Sequence, residues 1–203
     1  MKLDSINKVR VPNFIKNIMV AAPLVLAAPI ANALVRTPEK DTFEQQRIIA
    51  VHDKVDLSPA IKVANDTIYP AVVIDKSENK LYFYDLDGQL DTTFTVGLGK
   101  QTTPTHVGLR VVTGIESYPY AKAPENTKRH NNPLGYGPKV ICLANVDPKS
   151  GEVIGSDGEF IHGTNQPASV GKNQSKGCVR MLNEDVKKLS EWLLTGQYVL
   201  IKE

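Results

Sequence analysis

A histidine and a cysteine in the second half of the chain could together carry out nucleophilic catalysis. His162 lies in the segment Phe160–Thr164 (FIHGT), and Cys178 follows it by 16 positions in the segment Ser175–Met181 (SKGCVRM). A free cysteine has a pKa of about 8.5, so only a few per cent is thiolate at neutral pH and a neighbouring base is needed to activate it. We therefore take Cys178 as the candidate nucleophile and His162 as its candidate base.

The residues beside these two side chains suit acyl transfer. Gly177 has no side chain, so the backbone can turn sharply there and a substrate can approach the thiol. Its amide and that of Cys178 are candidate donors of an oxyanion hole, although Gly177 could also be an ordinary turn glycine. Ser175 could orient His162 or hold the turn through its hydroxyl group.

Taken together and in this order, the two segments resemble the signature of the L,D-transpeptidase catalytic domain family of bacterial cell-wall enzymes. That signature is an Ile-His-Gly-Thr strand end followed by a Ser-x-Gly-Cys-hydrophobic-Arg-Met turn, and the resemblance runs from about Pro70 to the C-terminus. Residues Gly99–Thr105 (GKQTTPT) are similar to the family's Gly-Lys-x-Thr-Pro-Thr stretch; His106, which follows, is expected to be an exposed loop residue. Many members have a histidine immediately before the Gly-Cys pair, where this chain has Lys176.

The resemblance implies a substrate and a mechanism. Cys178 would attack the carbonyl of the third residue of a peptidoglycan tetrapeptide stem, D-alanine would leave with a proton from His162, and a thioester would remain. The diaminopimelate amine of another stem would then give a 3-3 cross-link, and a lipoprotein lysine would anchor that protein to the wall. Attack by water would instead make the protein an L,D-carboxypeptidase.

The resemblance also implies roles for residues around this pair. In the family the second ring nitrogen of the histidine is held by the carbonyl of the next residue, here Gly163, so no aspartate is expected in the site. Arg180 would bind a substrate carboxylate, with an internal ion pair as the alternative, and Lys176 would also contact substrate. Family members place a loop over the groove at Ser117–Lys139, so Tyr136 is expected in a substrate wall; a mobile surface loop is the alternative.

Other interpretations of the cysteines and the histidine are weaker. A Cys142–Cys178 disulfide would block or regulate the thiol in an oxidising compartment and would leave a non-catalytic wall-binding domain. Cys142, however, lies in the apolar run Lys139–Ala144, where a free thiol packs as a small hydrophobic side chain. Papain-like peptidases place the cysteine before the histidine, and sortases separate the two much more widely.

The first 33 residues have the three-part layout of a secretory signal peptide. Basic residues precede an apolar run at Ile18–Ile30, and the segment Ala31–Ala33 (ANA) follows as a cleavage site. The run is shorter than the about 20 residues that span a bilayer and contains Pro23 and Pro29, so an uncleaved anchor is the minority alternative. We expect export to the bacterial periplasm or envelope, with membrane contact only through the uncleaved segment.

Charge and composition exclude several kinds of partner. The chain has 24 basic and 22 acidic residues, and removal of the signal segment, with four basic residues and one acidic residue, leaves 20 and 21. A nearly neutral chain lacks the basic surface that nucleic-acid binding requires. The sequence contains no Cys-x-x-Cys pair, and we expect neither a metal nor a cofactor.

Hydrophobic patterning predicts a mainly β domain, and the resemblance implies a mixed-strand β-sandwich or partly open barrel with one or two packed helices. The predicted strands are Ala71–Ile74, Lys80–Tyr84, Leu90–Val96, Leu109–Ile115, Lys139–Asn145, Glu159–His162 and Tyr198–Ile201. One helix is predicted at Glu184–Leu194, with Asn183 as its N-cap and Trp192 on its core-facing side.

These elements divide the chain into three parts. Residues 1–33 form the signal peptide, and residues 34–69 form a lead-in with one short helix at Thr42–Val51. Residues 70–203 form the catalytic domain, which is long enough to bury a core of its own.

Overall fold

The computed structural model describes residues 57–120, 124–125 and 127–203, and only the backbone of Lys128. The predicted signal peptide, the helix predicted at Thr42–Val51 and the rest of the lead-in up to residue 56 lie outside this part of the chain. The domain boundary at residue 70 stays a prediction.

The described chain is built mainly of β-strands, which confirms the predicted class. The strands are β1 (Ile61–Val63), β2 (Asp66–Ile68), β3 (Val72–Asp75), β4 (Lys80–Tyr84), β5 (Leu90–Thr95), β6 (Leu98–Gly99), β7 (Gly108–Ser117), β8 (Lys139–Val146), β9 (Val153–Gly155), β10 (Phe160–His162), β11 (Asn173–Ser175), β12 (Val179–Arg180) and β13 (Tyr198–Lys202). The helices are α1 (Lys128–Asn131) and α2 (Asn183–Trp192), and 3-10 turns lie at Pro133–Tyr136 and Pro167–Ser169. Each predicted strand is present, with its ends unchanged or shifted by one or two residues.

Most of the strands form one curled, nine-stranded sheet. Its order is β12-β10-β8-β7-β13-β3-β4-β5, with β9 attached to β8. Neighbours along this order are antiparallel, except that β10 pairs with β12 and β13 pairs with β3 in parallel. Gly97, just after β5, exchanges two backbone hydrogen bonds of 2.8 and 2.7 Å with Arg180 in β12. Because β5 and β12 are opposite edges of the sheet, this contact partly closes it into the expected partly open barrel.

The main core lies between one face of this sheet and α2. Ile141, Ile161 and Val179 from three adjacent strands point into it, and the helix contributes the fully buried Val186 and Leu189. The prediction of a helix packed on the sheet is therefore confirmed. Within the described residues, no helix is both long enough and apolar enough to span a bilayer.

Two details of α2 differ from the prediction. The N-cap is Leu182, which makes no side-chain capping bond. Asn183 is instead the first helical residue, and its Oδ1 accepts the Thr164 N–H at 2.8 Å. Trp192 is 40% exposed, with its ring centroid 5.5 Å from that of Phe83. The tryptophan ends the helix, so it covers the edge of the core rather than its centre.

The lead-in contains a hairpin that the sequence did not suggest. Strands β1 and β2 pair antiparallel, with Ala64 in the turn at a φ of 51°. Val63 packs with Leu109 and Val111 of β7 in a second apolar cluster. Strands of three residues are too short to leave a recognisable alternation of apolar and polar positions, so this hairpin had no clear sequence signal.

Candidate active site

His162 is the last residue of β10 and is held between two other strands. It is paired with Val140 of the antiparallel strand β8 and with Arg180 of the parallel strand β12. Its carbonyl accepts the Met181 N–H at 2.8 Å, and the residue is only 4% exposed. The imidazole is therefore presented by a rigid and nearly water-free part of the sheet.

The backbone fixes which nitrogen of this imidazole carries the proton. Nδ1 of His162 lies 2.5 Å from the carbonyl oxygen of Gly163, which can only accept a hydrogen bond, so Nδ1 is the donor and Nε2 remains an acceptor. A Cβ at Gly163 would lie 2.4 Å from Asn183 Oδ1 and 2.9 Å from Pro138 Cδ. This backbone path therefore needs glycine at position 163, where the carbonyl oxygen lies within hydrogen-bond distance of the ring.

The environment of His162 favours the neutral ring. Burial lowers the pKa of His162 from 6.5 to about 4; the hydrogen bond to Gly163 opposes this shift and the positive charge of Arg180 adds to it. At neutral pH the ring is thus uncharged, with Nε2 able to take up a proton.

Cys178 is half-buried and follows a tight turn that leads into β12. Ser175 Oγ donates to the Cys178 carbonyl at 2.6 Å and accepts the Gly177 N–H at 3.1 Å. Gly177 has a φ of +115°, which side-chain-bearing residues rarely adopt. Thr105 Oγ1 donates to the Gly177 carbonyl at 2.8 Å. Ser175 thus holds the turn, one of the two roles considered for it, and the Gly177 amide is engaged inside that turn.

Strand register directs the candidate pair to one face of the sheet. In the parallel pairing of β10 with β12, Ile161 lies beside Val179, and both are fully buried in the main core. Side chains alternate between the faces of a strand, so His162 and Arg180 belong to the opposite face. Cys178 immediately precedes β12, and continuing the alternation by one residue directs its side chain to the same face. The sheet brings together two motifs that are 16 positions apart in the sequence.

Tyr136, from the 3-10 turn at Pro133–Tyr136, covers this face. The centroid of its ring lies 4.7 Å from that of the His162 ring, with an angle of 45° between the two ring planes. It lies 6.4 Å from the centroid of the Phe160 ring. Burial raises the pKa of Tyr136, and negative charge on Cys178 raises it further. The phenol ring is therefore a neighbour of both candidate catalytic side chains.

Lys176 and Arg180 lie two positions before and two positions after Cys178 in the chain. Arg180 is half-buried, and its Nη1 lies 3.4 Å from Gln166 Oε1. No carboxylate in the described part of the chain lies within ion-pair distance of Arg180, so the alternative of an internal ion pair finds no partner there. Lys176 is exposed on the turn.

Cys142 and Cys178 are not joined by a disulfide. Cys142 in β8 is paired with Phe160 in β10, and Cys178 lies next to β12 on the far side of β10. Two strand spacings amount to about 10 Å, whereas the Cα atoms of a disulfide are at most about 7 Å apart. Burial, and then the carboxylate of Glu116, raise the pKa of Cys142. A bridge would require this part of the sheet to open.

The loop between β7 and β8 is anchored to the sheet beside the site. Buried Arg129 forms a 3.3 Å ion pair with Glu116 and lies 4.9 Å above the Phe160 ring. Tyr120 is 2% exposed and donates its hydroxyl hydrogen to the Gly137 carbonyl. Arg129 and Tyr120 thus anchor the loop to the sheet, and a role of the loop as substrate wall stays a prediction.

Sequence reasoning missed a buried charged cluster behind the turn. Glu159 is 6% exposed and Arg110 is 5% exposed. Glu159 contacts His106, whose side chain is 61% exposed, as expected of a loop residue. His106, Asp157 and Glu159 place potential metal-ligand atoms within 4.8 Å of one another, but the guanidinium of Arg110 already supplies a positive charge there, 3.3 Å from Asp157.

Comparison with known proteins relates the sequence to one family. Residues 69–201 match the family model of YkuD, the L,D-transpeptidase catalytic domain. YqjB of Bacillus subtilis (strain 168), which is named among the L,D-transpeptidases, is 34% identical over 137 residues that cover 66% of this chain and 72% of that protein. ErfK/SrfK of Escherichia coli (strain K12), also named so, is 29% identical over 147 residues that cover 70% of this chain and 47% of that protein. The chain thus spans about half the length of the E. coli relative.

The fold has a counterpart among solved structures. The crystal structure of an L,D-transpeptidase from Stackebrandtia nassauensis superposes with a TM-score of 0.52 at 21% identity, covering 78% of this chain and 63% of that one. At this identity the likeness concerns the fold alone, whereas the family model spans well over half of the sequence. This chain belongs to the YkuD family of L,D-transpeptidase catalytic domains.

Proposed function

We propose that the protein is an exported peptidoglycan L,D-transpeptidase that works through an acyl-enzyme on Cys178. The proposal rests on the arrangement of His162: its ring is buried and neutral, and Nδ1 is committed to the Gly163 carbonyl. The alternation of side chains along β12 directs Cys178 to the face on which His162 lies. A thiol next to such a ring can lose its proton to Nε2 without any carboxylate in the site. The family membership gives this pair its reaction class.

The proposed reaction has two halves. Nε2 of His162 takes the proton of Cys178, and the thiolate attacks the carbonyl of the third residue of a tetrapeptide stem. The tetrahedral intermediate collapses, the C–N bond breaks, and D-alanine leaves with the proton from His162. The amine of an acceptor then gives up a proton to His162, attacks the thioester and expels the Cys178 thiolate, which takes that proton back from His162.

The surrounding residues have distinct proposed tasks. Arg180 binds a carboxylate of the diaminopimelate-containing stem through bidentate hydrogen bonds from its planar guanidinium. Within the described residues this guanidinium contacts the Gln166 side chain and no carboxylate. Tyr136 lines the groove over the imidazole, and exposed Lys176 meets the outer part of the substrate. The Gly177 amide can serve as an oxyanion donor only by exchanging Ser175 Oγ for the substrate oxygen.

The acceptor and the location are part of the same proposal. A diaminopimelate amine gives a 3-3 cross-link between stems, and a lipoprotein lysine gives a wall-anchored protein. Both acceptors lie outside the cytoplasm, so the protein would act in the envelope after removal of residues 1–33. Nucleic acid plays no part in this chemistry.

The test is a product assay with a purified diaminopimelate tetrapeptide muropeptide and the mature protein. The wild type should form a dimer that has lost one D-alanine, Cys178→Ala should form none, and Cys142→Ala should behave as the wild type. Tripeptide without dimer would instead indicate the carboxypeptidase. An inactive wild type whose mass is lower by two hydrogen atoms would indicate the disulfide-bridged, non-catalytic domain.

A further inference from the structure

A buried carboxylate lies directly behind the turn that carries Cys178. Glu159 immediately precedes β10 and is 6% exposed. A Cβ at Gly177 would lie 3.1 Å from Glu159 Oε1 and 3.5 Å from its Cγ. The side chain of Glu159 therefore packs against the backbone of the residue before the nucleophile.

Glu159 also holds a second segment that contacts the same turn. Its Oε1 accepts the backbone N–H of His106 at 3.1 Å and lies 2.8 Å from His106 Nδ1. The preceding residue, Thr105, donates to the Gly177 carbonyl at 2.8 Å and accepts the Gly99 N–H at 2.9 Å. Gly177 is thus fixed from two directions, by direct contact with Glu159 and by a hydrogen bond from the segment that Glu159 orders.

The charge of Glu159 is expensive to bury and is only partly compensated. Arg110 Nη2 is 3.9 Å from Oε2, beyond hydrogen-bond distance, and it also contacts the His106 carbonyl at 3.1 Å and Asp157 Oδ2 at 3.3 Å. Within the described residues, Glu159 Oε2 has no hydrogen-bond partner. Buried ion pairs of this kind often add little to stability. The cluster therefore needs an explanation other than stability.

We propose that Glu159 is a positioning residue for the nucleophile: together with Thr105 and His106 it fixes the Gly177–Cys178 backbone so that the thiol meets His162. The inference rests on the proposed function, because it assigns a task in the same reaction. Glu159 acts through Gly177 and does not touch the reacting atoms. Asp157 shares the contact with Arg110, but its other oxygen accepts a hydrogen bond from Asn145 rather than from the turn, so it provides a matched comparison.

The test compares Glu159→Gln with Asp157→Asn in a Cys142→Ala background, where Cys178 is the remaining thiol. Each variant removes one negative charge beside Arg110. Only Glu159→Gln also weakens the hydrogen-bond acceptor for the backbone N–H of His106. Glu159→Gln should lower kcat by about tenfold or more with KM changed by less than about twofold, since misplacement of a reacting group acts on the chemical step. Asp157→Asn should keep both constants near those of the parent.

Alkylation of Cys178 by iodoacetamide gives a second readout that needs no muropeptide. Removal of a negative charge near a thiol by itself favours the thiolate and speeds alkylation, whereas loss of contact with His162 slows it. We expect slower alkylation in Glu159→Gln, and also in Thr105→Val, with recovery in Thr105→Ser. Faster alkylation in Glu159→Gln would overturn the proposal, since Glu159 would then act only as a charge.

The outcomes separate this inference from the function on which it rests. Equal losses of kcat in Glu159→Gln and Asp157→Asn would show that Glu159 only balances the charge of Arg110. A Glu159→Gln variant with a lowered Tm and an unchanged kcat would show the same. If the parent protein fails to turn over any stem peptide, the proposed function fails, while the alkylation rates still decide whether Glu159 positions the thiol.

Discussion

The buried imidazole of His162 should make the folded protein less stable in mild acid. Replacement of His162 should remove this loss of stability. The folded state holds the pKa of His162 at about 4, below its ordinary value of 6.5, chiefly because burial disfavours the charged ring. As the pH falls below 6.5, the unfolded chain takes up a proton that the folded protein refuses. The stability that this residue contributes is therefore present at neutral pH and is lost between pH 6.5 and pH 4.

The size of the effect follows from the two pKa values. Each unit of difference corresponds to about 1.4 kcal/mol. For pKa values of 6.5 and about 4, the linkage relation gives a loss of about 2 kcal/mol from pH 7 to pH 5 and about 3 kcal/mol by pH 4. Below pH 4 the contribution levels off, because both states are then protonated.

Urea unfolding of the wild type and His162→Gln between pH 7 and pH 4 measures this loss. The variant has its own constant offset in the free energy of unfolding, so the relevant quantity is how the difference between the two proteins changes with pH. The exposed His130→Gln variant is the control, and it should follow the wild type throughout. A wild-type minus His162→Gln difference that stays flat from pH 7 to pH 4 would refute the assignment of a buried, neutral imidazole.

Three further outcomes are expected. Gly163→Ala should lower the free energy of unfolding by about 1–3 kcal/mol and abolish turnover, because its Cβ would lie 2.4 Å from Asn183 Oδ1; full activity by the muropeptide assay would contradict the backbone path described. Iodoacetamide at neutral pH should label Cys178 well before Cys142, since burial raises the pKa of Cys142; peptide mapping reads the order, and prior labelling of Cys142 would contradict it. Arg180→Lys should raise KM about tenfold for stems with a free carboxylate, because a bidentate hydrogen bond to that carboxylate is lost. An equal KM for amidated and free stems in the wild type would argue against carboxylate binding.

The strands that frame the site could be predicted because burial leaves a pattern in the sequence. β8 has buried residues at Val140, Ile141, Leu143 and Ala144, and β13 alternates buried and half-buried positions. The two-residue strands β6 and β12 have too little sequence to show any pattern. Their existence depends on pairing with partners that are distant in the chain.

The same distinction applies to the site residues. His162 and Cys178 could be proposed from motifs, but the parallel pairing of β10 with β12, which directs them to one face, is a tertiary contact. Glu159 could not be found, because its contact with His106 joins residues 53 positions apart and buried carboxylates have no sequence signature. Asn183 was expected to cap α2, but Leu182 occupies the N-cap position. The side chain of Asn183 instead accepts a hydrogen bond from the backbone N–H of Thr164.

Trapping of the acyl-enzyme would show directly whether Cys178 carries the acyl group. The mature protein is mixed with a tetrapeptide stem donor in the absence of an acceptor amine, quenched in acid within seconds, and examined by intact-mass spectrometry and peptide mapping. We predict an adduct equal to the donor minus D-alanine, attached at Cys178, abolished in Cys178→Ala and strongly slowed in His162→Gln. An adduct that persists in Cys178→Ala, or turnover of the donor by that variant, would contradict the account.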